Sequence, residues 1–308
     1  MPSPSKKGSK KGASLNERLY DAAIGCDKGE VQKHIALGAD VNWANPKSSK
    51  NTPIIAAIAM NCSPDLVGSL IAAGADIHKE NDDGETPFFI AALIGNPALV
   101  DMLIKMGADV KKKDKSGNSP LHLVAQAEIP MNTPGYLEII DMILAKGEKI
   151  NVQNPDRMTP LHIAASRGNT EIAERLLMKG ANIHANNADN STPLHIAAEY
   201  GMIETVHLLL AKGADITKKN RLGVTASTVA RALGKQEVAD IIEKWPMLGT
   251  IAAMEEGLDP RVYNSLDLGS IQDMAEYRGK TRDNQYRGGK RKTRGKRITG
   301  KKTRSNRR

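Results

Sequence analysis

From Pro87 to Lys105 the apolar residues fall in two short blocks. Phe88 to Ile94 is the first, and Leu99, Val100, Leu103 and Ile104 recur at helical spacing in the second. Gly95 and Asn96-Pro97 interrupt the pattern between them. Upstream, Asn81-Asp82-Asp83-Gly84-Glu85 reads as a turn, because Asn, Asp and Gly tolerate or supply the left-handed backbone a tight turn requires. Thr86 is placed to cap a helix with its hydroxyl, and Pro87 suits the first helical position, where no amide donor is needed. Gly107 ends the second helix. Asn81 to Val110 is therefore predicted to be a turn followed by two short helices. Ala91 and Ala92 let the first helix approach its neighbours closely.

The same grammar returns along the chain. Thr-Pro-Leu-His-Ile-Ala-Ala occurs at Thr159 and Thr192, 33 residues apart. Weaker copies start at Thr52, Thr86, Ser119 and Thr225. A helix-ending Gly-Ala pair follows at Gly38, Gly74, Gly107, Gly180 and Gly213. From motif to glycine is 21 residues in the units starting at Thr86, Thr159 and Thr192, 22 from Thr52 and 28 from Ser119. The surplus in the Ser119 unit is expected as a loop within residues 128–135, where two prolines and a glycine stand. Residues 17–23 keep the apolar register without Thr-Pro, and Cys26 takes the place of the usual glycine. Ser227 and Thr228 replace Leu-His at the other end. Both ends read as capping units, whose outer faces must be polar.

A period near 33 carrying this motif resembles the ankyrin-repeat family. The resemblance implies an all-α solenoid of about seven helix-turn-helix units with projecting hairpin loops. The units are expected near residues 15–42, 43–78, 79–111, 112–151, 152–184, 185–217 and 218–244, after a basic N-terminus at 1–14. A short helical extension is expected at 245–277, set off by Trp245-Pro246 breaking the last helix, and a disordered basic tail at 278–308. The resemblance further implies a non-enzymatic scaffold that binds a protein through hairpin tips and the residues after the paired alanines. Carried onto this chain, those positions include Met60, Leu93, Ile94, Gln126, Arg167, Glu199 and Tyr200 on the first helices. Asp82, Asp83, Glu85 and Lys115 are the corresponding tips. Met60, Leu93 and Ile94 would form an apolar strip beside an acidic tip, unless the last two pack on the adjacent unit. His122, His162 and His195 are, by the same resemblance, structural ties to the neighbouring hairpin. One histidine per repeat puts them on the order of 8–10 Å apart, too far to share a zinc ion at about 2 Å from each ligand.

Composition narrows the chemistry. Aromatics are 3 % of the chain, so the core must come from Ala, Leu, Ile and Val. Cys26 and Cys62 are not a disulfide framework and read as packing residues in a reducing, intracellular setting, cytoplasmic or nuclear. The basic N-terminus lacks the apolar stretch of a signal peptide, and the apolar run Ile54 to Met60 is too short to span a bilayer. No nucleophile–base pair or phosphate-cradling loop appears, so no enzyme, cofactor or metal is expected, and the chain reads as a monomer.

The net charge of +9 hides a strong asymmetry. Residues 278–308 hold 15 Lys+Arg against Asp283 alone, or +14, which leaves −5 for 1–277. Lys290, Arg291, Lys292, Arg294, Lys296, Arg297, Lys301, Lys302 and Arg304 form the densest run. Such runs serve nuclear import or bind polyanions, with an affinity that falls steeply in salt. The tail also resembles those ending many proteins of giant DNA viruses, which implies a viral protein acting on host partners. Two rival functions follow from the ends. One is a tail-driven nucleic-acid or virion-associated protein. The other is a ubiquitin-ligase substrate adaptor acting through residues 245–277, by analogy with poxvirus ankyrin proteins.

Overall fold

A computed structural model of the chain describes residues 13–127 and 133–255. The chain divides into a compact unit ending at Leu248 and a second beginning at Gly249. Among the described residues fourteen helices run in order: α1 (Leu15–Ile24), α2 (Lys28–Ala36), α3 (Pro53–Ala59), α4 (Pro64–Ala72), α5 (Pro87–Ile94), α6 (Pro97–Lys105) and α7 (Pro120–Ala125), then α8 (Thr133–Ala145), α9 (Pro160–Arg167), α10 (Thr170–Met178), α11 (Pro193–Tyr200), α12 (Ile203–Ala211), α13 (Ala226–Ala232) and α14 (Gln236–Glu255). They pair consecutively and stack into an all-helical solenoid. One isolated bridge, between Asn45 and Asn51, is the extended pairing among the described residues.

The Thr-Pro starts behave as their chemistry dictates. The hydroxyls of Thr52 and Thr86 accept from the amides of Ile55 and Phe89 at 3.5 and 3.2 Å, and proline fills the first position of each helix. Ser14 does the same work at α1 without proline. Its hydroxyl accepts from the Glu17 amide, and Glu17 accepts from the Ser14 amide in return.

The two helices of a pair bury themselves differently. In α5 every residue from Pro87 to Ala92 is buried, whereas α6 buries only Leu99, Val100 and Leu103. The first helices form the inner layer and the second helices lay one face upon it. The same three positions are buried as Leu66, Val67 and Leu70 in α4, Ile139, Ile140 and Ile143 in α8, and Ile172, Ala173 and Leu176 in α10. In α12 they are Thr205, Val206 and Leu209. The hydroxyl of Thr205 sits 3.0 Å from that of Thr170, so this buried polar group is satisfied across the stack. Truncating one of the buried leucines to alanine would cost about 2–5 kcal/mol.

Three expectations need correction. Trp245-Pro246 does not break the last helix: α14 runs from Gln236 to Glu255. The aromatic ring of Trp245 packs edge-on against His207 at 5.9 Å between centroids. The surplus of the Ser119 unit does not extend to Gly135, because α8 already begins at Thr133 and proline suits a first helical turn. Finally, Cys26 and Cys62 are not separate packing residues. They form a disulfide, with Cα atoms 5.3 Å apart, a distance typical of bridged cysteines.

The cysteines meet because equivalent positions in successive pairs lie side by side. Each first helix ends in a residue that abuts the start of the next pair's second helix. Asn96 donates to the Asn61 amide oxygen at 2.7 Å. A Cβ on Gly95 would lie 2.5 Å from the Tyr136 ring, one on Gly168 2.7 Å from the Met202 sulfur, and one on Gly201 3.2 Å from the Lys235 chain. Cys26 occupies that same joint, with the left-handed φ of 53° that Asn61 shares.

Candidate protein-interaction face

The first-helix ends are the candidate contact positions, and the joints between pairs decide how many stay open. Met60 ends α3 with 53 % of its surface exposed. Arg167 ends α9, and Glu199 and Tyr200 end α11; all three are exposed, Tyr200 to 53 %. Between these two groups the face is covered. Leu93 and Ile94 are half-buried. The Tyr136 hydroxyl donates to the Leu93 carbonyl at 2.9 Å, its ring lies against Gly95, and Ile94 packs on the core. Gln126 is half-buried and Ala127 buried. The Asn169 side-chain amide reaches over them, donating to the Ala125 and Ala127 carbonyls at 2.9 Å each. Met60 therefore does not continue into an open apolar strip through Leu93 and Ile94.

The hairpin tips are tied into a ladder. The Asp82 amide donates to the Ser49 carbonyl, Lys115 to Asp83, Ala188 to Asp156 and Arg221 to Asp189, at 2.7–2.9 Å. At the equivalent place facing Ser116 stands Pro155, which has no N–H to give. Its ring sits where a Cβ on Gly117 would be, 2.6 Å away. Within the tips an asparagine holds the turn at Asn81, Asn154, Asn187 and Asn220, and Asp114 takes its place in the tip of Lys115. The Asn81 oxygen accepts from the Asp83 and Glu85 amides at 2.9 Å, and its nitrogen donates to Asn51 and to the half-buried Glu85 carboxylate. Asp82 is exposed but engaged, paired with Lys50 at 2.8 Å and accepting at its carbonyl from the Lys115 ammonium. Asp83 and Lys115 are exposed beside it. The acidic tip is thus partly neutralised by its own neighbours, though exposed pairs of this kind add little to stability.

The three motif histidines each make a tie rather than a cluster. The Ser119, Thr159 and Thr192 amides donate to Nδ1 of His122, His162 and His195 at 3.2–3.3 Å. An amide can only donate, so Nδ1 is the acceptor and Nε2 carries the proton. Nε2–H then donates to the carbonyls of Met158, Ser191 and Val224 at 3.0, 3.0 and 3.3 Å, each in the following hairpin. Burial disfavours the imidazolium at all three and lowers the His162 pKa to about 4. Among the described residues no three His, Cys, Asp or Glu are grouped to hold a metal ion, and no helix is long and apolar enough to cross a membrane.

Sequence reasoning missed the joint residues Tyr136, Asn169 and the cysteine pair. The signal for the last was available: Cys26 and Cys62 are 36 residues apart, one repeat plus a short excess. The basic run from Lys290 to Arg304 lies outside the described residues, as does most of the 245–277 extension.

A family model described as ankyrin repeats (3 copies) matches residues 54–154 and 131–220. The chain is similar to the Arf-GAP with coiled-coil, ANK repeat and PH domain-containing protein 2 of Homo sapiens and of Oryctolagus cuniculus. Each is 32 % identical over 85 residues, or 26 % of this chain, and the match spans 10 % of those relatives' length. Among solved structures, the human ASB11 ankyrin repeat domain is 26 % identical with a TM-score of 0.60. That likeness covers 70 % of this chain and 95 % of the other.

Proposed function

Because the chain belongs to the ankyrin-repeat family, whose repeats are protein–protein interaction modules, we propose that it is a non-enzymatic adaptor binding a protein partner through the first-helix ends. The basic tail serves targeting or polyanion binding. The observation that carries this reading is the exposure of Arg167, Glu199 and Tyr200 at consecutive first-helix ends. A large aromatic side chain left 53 % exposed between charged neighbours is the composition favoured at interface centres. Met60, Asp83 and Lys115 form a second, separate group of contacts toward the front of the stack.

The test is affinity purification of the full chain from nuclease-treated eukaryotic cells, beside a form with the basic residues of 278–308 reversed in charge. A discrete protein retained by both supports the adaptor. In the same assay Tyr200→Ala combined with Arg167→Ala should cut partner recovery at least tenfold, since interface anchors of these types are worth about 2 kcal/mol or more each. The melting temperature should stay within a degree or two, because neither side chain is in the core. Partners that vanish with the tail or with nuclease would instead make the repeats a scaffold for a tail-driven binder. A ligase subunit lost on deleting 249–277 would favour the ligase adaptor.

A further inference from the structure

The first joint of the solenoid differs from the rest in being closable by a covalent bond. Cys26 is exposed at the end of α1, while Cys62 is 2 % exposed beneath α3. Their Cα atoms are 5.3 Å apart. The site also accommodates the open form. The Cys62 sulfur lies 3.3 Å from the Ala23 carbonyl, placed so that a reduced thiol donates to it. Lys28 and Asp65, two and three residues beyond the cysteines, pair at 2.6 Å and bridge the same joint without the disulfide. Cys26 stands at the exposed end of the joint, Cys62 lies in reach behind it, and the Ala23 carbonyl offers a partner to a reduced Cys62 thiol.

We propose that Cys26 and Cys62 form a reversible thiol–disulfide site, which latches the capping pair α1–α2 onto α3–α4 under oxidising conditions. The oxidant class is a small-molecule disulfide, for which glutathione disulfide is the probe. The exposed Cys26 thiolate attacks one sulfur of it, forming a mixed disulfide and releasing one glutathione thiolate. The Cys62 thiolate then attacks the Cys26 sulfur, which forms the internal bond and expels the second. The two protein protons end on the two glutathiones, so one disulfide is consumed and one formed. Reduced glutathione in excess runs the steps backward through Cys26.

The full chain is equilibrated without oxygen in mixtures of reduced and oxidised glutathione, acid-quenched, labelled with maleimide and weighed intact. The expected result is a single transition from two labels to none, with the unlabelled species lighter by two hydrogens. Thermal unfolding of the oxidised form should lie about 5–10 °C above the reduced form. Cys26→Ser, a change at an exposed position that need not disturb the core, should remove that dependence. The proposal is overturned by two labels across the whole range, by a glutathione adduct at Cys26 that never closes, by a bond that native-state glutathione cannot open, or by equal melting of the two forms.

Discussion

His162 accepts from the Thr159 amide at Nδ1 and gives its remaining proton to the Ser191 carbonyl. A second proton on Nδ1 would break the bond from the Thr159 amide and leave only the Thr159 hydroxyl, 2.8 Å away, to accept it, and burial denies the imidazolium solvation by water. The folded pKa is accordingly lowered from 6.5 to about 4, with desolvation the leading cause. The unfolded chain therefore binds this proton first as the pH drops. Stability from this residue is fully present above about pH 6.5 and is lost as pH falls through the interval down to about 4, below which no more is lost. The shift corresponds to roughly 3 kcal/mol. His162→Asn should be less stable than the parent at pH 7, and the gap between them should shrink by that order by pH 4. Urea unfolding of both proteins at several pH values checks this; a gap independent of pH would mean the imidazole is not held neutral. His122 and His195 are shifted in the same direction, for the same leading reason.

Asn169, at the start of α10, shows why some of the architecture was legible in the sequence and some was not. The helix starts at Thr52, Thr86, Thr159 and Thr192 could be read directly, since hydroxyl, proline and the following apolar run are contiguous and each acts on its own helix. The histidine ties were legible because the motif repeats. Asn169 instead satisfies carbonyls 44 and 42 residues upstream, Tyr136 reaches 43 residues back to Leu93, and Cys26 joins Cys62. Each works across a joint between pairs, at a place held by Cys62, Asn96, Tyr136, Asn169, Met202 or Lys235 from one pair to the next, so no single residue type announces it. Leu93 and Ile94 were for that reason unreadable as exposed or covered. Cutting Asn169 to alanine removes this donor from two carbonyls at the end of α7. The cost should be about 2–3 kcal/mol, against a few tenths for Thr170→Ser beside it. Denaturant midpoints measure the difference, and equal values for the two variants would show that water replaces the amide.

A stack of pairs in which each touches only its neighbours unfolds according to how well each joint is made. The two ends of this solenoid are made differently. At the front, α1 buries Leu19, Tyr20, Ala22 and Ala23 and is fixed to α3–α4 by the Cys26–Cys62 bond. At the back, α13 buries only Ala226, Ser227 and Ala230. Between them α5 buries Phe88, Phe89 and Ile90 together with its alanines. The partner of α13, α14, adds Val238, Ala239 and Ile242, but apolar burial near 25 cal/mol per Å² gives the small residues of α13 little to hold α13 itself with, so local opening should begin at α13 and spread toward α11. Native-state hydrogen exchange of the oxidised chain should show α13 amides exchanging first, α11 next, and α1 as slow as α3. Reduction of the disulfide should speed exchange in α1 and α2 while leaving α13 unchanged, because the two ends are separated by the intervening pairs. Exchange at one common rate from α1 to α13 would mean that the solenoid opens as a single cooperative body, and the joints would then no longer set separate stabilities along it.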